Sequence, residues 1–135
     1  MEKVLWVSRH YPLPCQVEQL RQKLGDVEIE QFVGFVPNAE SVVELAKRVG
    51  AKYVLPVLPL SFVARLVELA KQHGLVILWG KMRLVATTTD VEEAWRIVKQ
   101  NPRCRTMVHY ADAVRVYEAE GIERVVEVRV VTEPL

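Results

Sequence analysis

The sequence predicts an α/β fold: a Rossmann-like or flavodoxin-like three-layer sandwich with a parallel core sheet. Two observations predict it. Residues 38–79 alternate helix, strand, helix and strand, and the two strands, at 53–60 and 75–79, are apolar throughout. A strand without polar residues is buried on both faces, as parallel strands between helices are. Helices that alternate with such strands imply right-handed βαβ crossovers.

The N-terminal part supplies two more strands, which set the predicted strand order. Residues 3–8 form an apolar strand, and residues 15–24 form a helix that ends at Gly25. Residues 27–33 alternate apolar and charged side chains, a pattern typical of a half-exposed edge strand. With the third strand near 52–58, we expect the order 2-1-3-4, in which the first strand lies between the second and the third.

The helices in the central stretch have recognisable starts and ends. Asn38 is expected to cap the second helix, because its side chain can accept hydrogen bonds from the free N–H groups there. Ser61 is expected to cap the third helix in the same way. Gly50 and Gly74 are expected to end these helices, since glycine adopts the left-handed conformation without a Cβ clash.

The pattern changes after Trp79. Gly80 is expected to interrupt the chain before a further strand at 82–88. Asp90 is expected to cap a helix over residues 91–100, and residues 103–110 are expected to form a strand. The three tryptophans occupy apolar positions and are expected in the core: Trp6, Trp79 and Trp95.

The C-terminal tail predicts a β-hairpin extension over residues 114–131 that turns near Gly121, because its valines alternate with charges. A helix over 111–121 is the alternative for its first part. The last strand, at 124–132, has valine at most positions from 125 to 131. An apolar outer strand would expose unpaired backbone groups, so a homodimer that pairs this region is expected.

Composition limits the functional classes. The 135 residues predict a single α/β domain over 1–135 with a net charge of +1, which gives no overall basic field for nucleic acid or membrane binding. Cys15 and Cys104 form no CxxC or CxxH pairing, so neither a disulfide framework nor a structural zinc site is expected. The N-terminus lacks a signal-peptide pattern, which predicts a cytoplasmic protein. Abundant Val, Arg and Glu with few Asn are typical of a thermophile.

A candidate site follows from the predicted strand order. In open α/β sheets, ligands bind at the carboxyl ends of the strands where the order reverses, here between the first and third strands. Loop residues at this edge combine hydroxyl and cationic side chains, which suit an anion such as a nucleotide or phosphate. No cofactor or metal is expected. The candidate ligand-binding residues are Ser8, Arg9, His10, Ser61, Lys81 and Arg83.

The pair Arg9-His10, at the end of a strand, resembles the RHG motif of the histidine phosphatase superfamily. In that family the arginine binds phosphate and the histidine becomes phosphorylated. Tyr11 stands where the family has glycine. The resemblance implies a second catalytic histidine, for which this chain offers His73 or His109.

Cys15 and Arg21 have the CX5R spacing of cysteine-based phosphatases. A thiolate at the start of a helix would have a lowered pKa. The residues between them contain no glycine and include Glu18 where a phosphate would bind, so a plain helix is the alternative.

Two hypotheses therefore stand side by side. The first is a binding or regulatory module for an anionic small molecule. By fold alone such a module is similar to small nucleotide-sensing domains such as the CRISPR-associated Rossmann-fold sensors. The second is a small phosphoesterase or ring-nuclease-like enzyme that uses His10 or Cys15 with Arg9 or Lys81. The chain lacks GxGxxG, P-loop and GxSxG motifs, which excludes three common α/β activities.

Overall fold

The computed structural model describes residues 1–135. The strands are β1 Glu2–Val7, β2 Val27–Phe32, β3 Tyr53–Pro56, β4 Val76–Thr88, β5 Arg105–His109 and β6 Val114–Arg124. The helices are α1 Pro14–Leu24, α2 Ala39–Val49, α3 Leu60–His73 and α4 Val91–Gln100. This is a mixed α/β architecture, as predicted. None of the four helices combines the length and the apolar character that crossing a bilayer requires.

The strands are hydrogen-bonded side by side in the order β2-β1-β3-β4-β6-β5. Strand β1 is parallel to β2 and β3, and β3 is parallel to β4, whereas β5 and β6 are antiparallel. The chain packs as two compact units, and the sequence, which contains no linker, does not predict this division. The first unit comprises Met1–Tyr11, Gly25–Trp79 and Arg124–Leu135, and the second comprises Pro12–Leu24 and Gly80–Glu123.

The core of the first unit is formed by the sheet together with helices α2 and α3. Leu5 of β1, Val54 of β3 and Ile77 of β4 pack in one cluster with Val42 of α2 and Leu66 of α3. All five side chains are almost completely buried. Burial of each such side chain stabilises the fold by about 1.5–3 kcal/mol. This core holds the parallel strands in place and thereby fixes where their carboxyl ends lie.

Helices α2 and α3 begin differently. The side chain of Asn38 accepts a hydrogen bond from the backbone N–H of Ser41 at 2.8 Å, as predicted for an N-cap. The prediction that Ser61 caps α3 is wrong. That helix begins earlier, with Pro59 at the cap position, and the Pro59 carbonyl accepts from the N–H of Phe62. Ser61 therefore lies inside the first turn, where its hydroxyl does not cap the helix.

The strands of the C-terminal half extend further than predicted. Strand β4 is continuous through Gly80, which does not interrupt it. The β-hairpin is formed by β5 and β6 and turns at residues 110–113, where the N–H of Tyr110 donates to the Ala113 carbonyl at 2.8 Å. The predicted turn near Gly121, and the alternative helix over 111–121, are both wrong. Strand β6 is continuous through Gly121 and ends at Arg124.

The predicted C-terminal strand at 124–132 is also wrong, since residues 125–135 contain no strand. The segment is instead anchored on the core of the first unit. The N–H of Val125 donates to the Ile77 carbonyl at 2.8 Å, and Val125 and Val128 pack against the core cluster. Val130 and Val131 are exposed. The homodimer was inferred from pairing of this strand, so that argument for it falls away.

The second unit has a small core of its own. Ala94 and Val98 of α4 pack in one cluster with Val114 and Val116 of β6. The helix begins as predicted, because the side chain of Asp90 accepts a hydrogen bond from an N–H of its first turn. The cluster fixes α4 relative to strand β6.

Two of the three tryptophans are not core residues. Trp6 is buried, as predicted, but Trp79 and Trp95 are 55% and 51% exposed. Trp95 lies on α4 beside Ala94, and only Ala94 faces the core cluster of the second unit. Successive residues of an α-helix point about 100° apart, so Trp95 does not share the buried face of Ala94.

Cys15 and Cys104 form a single disulfide, which the sequence analysis did not predict. Their Cα atoms lie 5.3 Å apart, within the usual range for a disulfide. The same region is held by two further contacts: the N–H of Cys15 donates to the Arg103 carbonyl at 3.0 Å, and Arg103 pairs with Glu18 of α1. The start of α1 is thus joined to the segment before β5.

Candidate functional site

The loop that follows β1 is fixed by its own hydrogen bonds. The N–H of Ser8 donates to the Phe32 carbonyl at 3.2 Å, and the side chain of Gln31 donates to the Ser8 carbonyl at 3.0 Å. The N–H of His10 donates to the Ser8 hydroxyl at 3.1 Å, and the indole of Trp6 donates to the His10 carbonyl at 2.9 Å. Because each bond uses backbone groups of the loop, the loop is preorganised.

The two basic side chains of this loop have no partner within the protein. Arg9 and His10 are exposed, and neither the guanidinium nor the imidazole makes a hydrogen bond or ion pair with another residue. A fixed backbone with an unpaired guanidinium and an unpaired imidazole N–H can bind an anion without first breaking an internal contact.

The loop after β2 places aromatic rings beside this position. Phe32 ends the strand, and Phe35 in the following loop is 87% exposed. Between them, a Cβ on Gly34 would lie only 2.8 Å from Cζ of the Phe32 ring, so the absence of a side chain allows this close approach. The sequence analysis missed these residues. The signal was a phenylalanine in a glycine- and proline-containing loop at a strand end, where a core role is not expected.

The loop after β3 adds an apolar side. The N–H of Val57 donates to the Val7 carbonyl at 3.0 Å, which holds this loop beside β1. Val57, Leu58 and Pro59 lead into α3, and Phe62 lies in the first turn of that helix. Val57 is exposed although it is apolar. An apolar side chain that is left in water beside a cleft is available to a ligand.

Together these loops line an open cleft of about 590 Å³, which we term the strand-end cleft. Its volume lies in the range of about 300–1,000 Å³ that is typical of small-molecule sites. Arg9 and His10 are the only ionisable side chains that line it, and no carboxylate does. Of the predicted site residues, the cleft brings together Ser8, Arg9 and His10. Ser61 does not line it.

The two other predicted site residues belong to the second unit and are bound to carboxylates. The Lys81 ammonium lies 2.9 Å from Glu123, and this hydrogen bond is the main reason that the pKa of Lys81 is raised. The Arg83 guanidinium lies 2.8 Å from a carboxylate oxygen of Glu118. In these pairs the positive charges are already compensated, which weakens their attraction for an external anion.

Glu118 is the centre of a polar network that the sequence analysis did not predict. Its carboxylate accepts hydrogen bonds from Arg105 at 2.9 Å, from Arg83 at 2.8 Å and from Asn101 at 3.1 Å. These hydrogen bonds, of which the one from Arg105 has the largest effect, lower the pKa of Glu118 to about 2. The network links side chains of β4, β5 and β6 through one ionised carboxylate.

Of the residues suggested for catalysis, Arg9 and His10 lie together in the strand-end cleft, whereas Cys15 and Lys81 do not line it. Cys15 is disulfide-bonded and therefore offers no thiolate to attack a phosphate. His10 lines the strand-end cleft, but neither His73 nor His109 does, so the second histidine of a histidine phosphatase is missing from it. No group of three or more His, Cys, Asp or Glu side chains is arranged to hold a metal ion.

Comparisons with known proteins give no family. No protein-family model matches the chain, and no curated protein and no solved structure matches it. The side chains of the strand-end cleft are therefore the main indication of what the protein binds.

Proposed function

We propose that the chain is a Rossmann-like α/β domain that binds an anionic small molecule, a nucleotide or a phosphate, in the strand-end cleft. It acts as a binding or regulatory module rather than as an enzyme. Ser8, Arg9 and His10 form the anion-binding part. Ser61, Lys81 and Arg83 are secondary, because the first does not line the cleft and the other two are paired with carboxylates.

One observation carries this proposal. Arg9 and His10 lie unpaired in a cleft without carboxylates, and the loops around it follow the parallel strands β1, β2 and β3. Ligands of open α/β sheets bind at the carboxyl ends of such strands. An anion at this place would accept charge-assisted hydrogen bonds, which are stronger than neutral ones.

The experiment is calorimetric titration with inorganic phosphate and with a nucleoside 5′-monophosphate. The variant Arg9→Gln should weaken binding of both by about tenfold or more, because a hydrogen bond to a charged group is worth about 1.5–3 kcal/mol. Arg48→Gln is the matched control, since Arg48 is an exposed arginine of α2 outside the cleft. Equal affinity in Arg9→Gln and wild type would contradict the proposal.

The phosphoesterase alternative is tested with the same protein. Hydrolysis of a nucleotide to nucleoside and phosphate, or of a phosphodiester to a phosphomonoester, that is lost in His10→Ala would establish an enzyme. We expect binding without turnover, because the cleft contains one histidine and no carboxylate to act as its general acid–base partner.

The compartment, the thermophilic source and the oligomeric state of the protein are also proposals. Disulfides are rare in the cytosol of mesophiles but frequent in intracellular proteins of hyperthermophiles. The composition supports a thermophilic source, and in such an organism the Cys15–Cys104 disulfide is compatible with the proposed cytoplasmic location. A homodimer stays an expectation that no strand pairing supports, and light scattering would decide it.

A further inference from the structure

The polar and the apolar side chains of the strand-end cleft lie in different parts of its lining. Every polar side chain that lines it, Ser8, Arg9 and His10, comes from the loop after β1. The rest of the lining contributes only apolar side chains and backbone. It includes the rings of Phe32 at the end of β2, Phe35 in the loop after it and Phe62 in the first turn of α3. A ligand that matches this division carries its charge at one end and a flat apolar group at the other.

Phe35 is the ring best placed to serve a ligand. With 87% of its surface exposed, it contributes little to the core, whereas Phe32 and Phe62 pack against the core of the first unit. An exposed phenylalanine stacks on any nucleobase, because every base has a π-face. Inorganic phosphate would leave this ring without a partner.

We propose that the ligand is a nucleotide whose phosphate binds Arg9 and His10 and whose base stacks on Phe35, with little discrimination between bases. This inference rests on the proposed function and narrows its ligand. Low base selectivity follows from the lining, since selectivity needs hydrogen bonds to the base edge. The side chains near Phe35 in the loop over residues 33–37 offer no hydrogen-bonding group.

The test compares four probes by calorimetric titration: adenosine 5′-monophosphate, uridine 5′-monophosphate, ribose 5-phosphate and inorganic phosphate. We expect both nucleotides to bind at least about fivefold more tightly than ribose 5-phosphate. Adenosine monophosphate should bind somewhat more tightly than uridine monophosphate, because the larger base stacks over more area. Phe35→Leu should remove the advantage of the nucleotides and leave ribose 5-phosphate unchanged. Trp95→Leu, at an exposed aromatic residue of α4, is the control.

The outcomes separate the two proposals. Equal affinity for nucleotides and ribose 5-phosphate, with no effect of Phe35→Leu, would overturn the stacking inference and leave the anion site intact. A strong preference for one base would overturn the claim of low selectivity. If none of the four probes binds, both the anion site and the nucleotide inference are wrong.

Discussion

Glu118 is held ionised by the three side chains that donate to it, with Arg105 the main contributor to its low pKa. The pKa falls from the ordinary value of 4.5 to about 2 in the folded protein. Because the folded pKa is the lower one, the contribution of Glu118 to stability is fully present above about pH 4.5. It is lost as the pH falls from there towards 2.

This residue gives the first prediction. Glu118→Gln should lower the free energy of unfolding at pH 7, because Arg83 and Arg105 lose their ionised partner. The difference from wild type should narrow as the pH falls from about 5 to 2, since wild-type Glu118 is then protonated as well. Urea denaturation of both proteins across this pH range measures the difference in their free energies of unfolding. Glu133→Gln, at an exposed C-terminal residue, is the control. A difference that stays constant with pH would contradict the assigned role.

At the scale of secondary-structure elements, the starts of α2 and α3 offer a matched pair of substitutions. Asn38→Ala removes the side-chain bond to the Ser41 N–H and should cost about 1 kcal/mol of stability. Ser61→Ala should change stability by less than about 0.5 kcal/mol, because α3 has no side-chain cap. Thermal or urea unfolding of both variants tests this. An equal loss in both would mean that Ser61 caps α3 after all.

Elements with a local signal could be predicted from the sequence. Asn38 and Asp90 cap their helices as expected, and the helix ends at Gly50 and Gly74 are left-handed glycines. Such signals depend on residues within one turn of each other. The prediction for Ser61 failed because the helix begins two residues earlier, where the Pro59 carbonyl accepts hydrogen bonds from the N–H groups of Phe62 and Val63.

Strands and buried positions that depend on contacts with residues far away in the sequence could not be predicted in the same way. The valines at 125–131 alternate as a strand does, but Val125 and Val128 pack on the core of the first unit without forming one. Trp79 reads as the end of an apolar strand, yet it is half exposed. The sequence shows that an apolar residue can be buried, but whether it is buried depends on which helices and strands pack against it.

At the scale of the whole molecule, the disulfide closes a long loop, since Cys15 and Cys104 are 89 residues apart. Sequence spacing alone could not reveal this pair, because only the fold brings the start of α1 near the segment before β5. The same limit applies to the candidate site. Arg9 and His10 could be proposed from their place after β1, but the rings of Phe32 and Phe35 required the structure.

Loss of the disulfide should destabilise the protein measurably. Closing a loop of this length restricts the unfolded chain and typically contributes about 2–5 kcal/mol. Reduction should therefore lower the unfolding midpoint of the wild type. The double variant Cys15→Ser/Cys104→Ser should show the lower midpoint at once and should not respond to reductant. A wild-type midpoint that is unchanged by full reduction would contradict this role.

The claim that the strand-end cleft is the ligand site is tested most directly by mapping binding onto the chain. In a nuclear magnetic resonance titration with adenosine 5′-monophosphate, the backbone amides of residues 8–11, 34–36 and 57–58 should shift together with one dissociation constant. The amides of α4 should stay unchanged. Shifts that centre on α4 or on the network around Glu118, with none in the loop of Arg9 and His10, would contradict the claim.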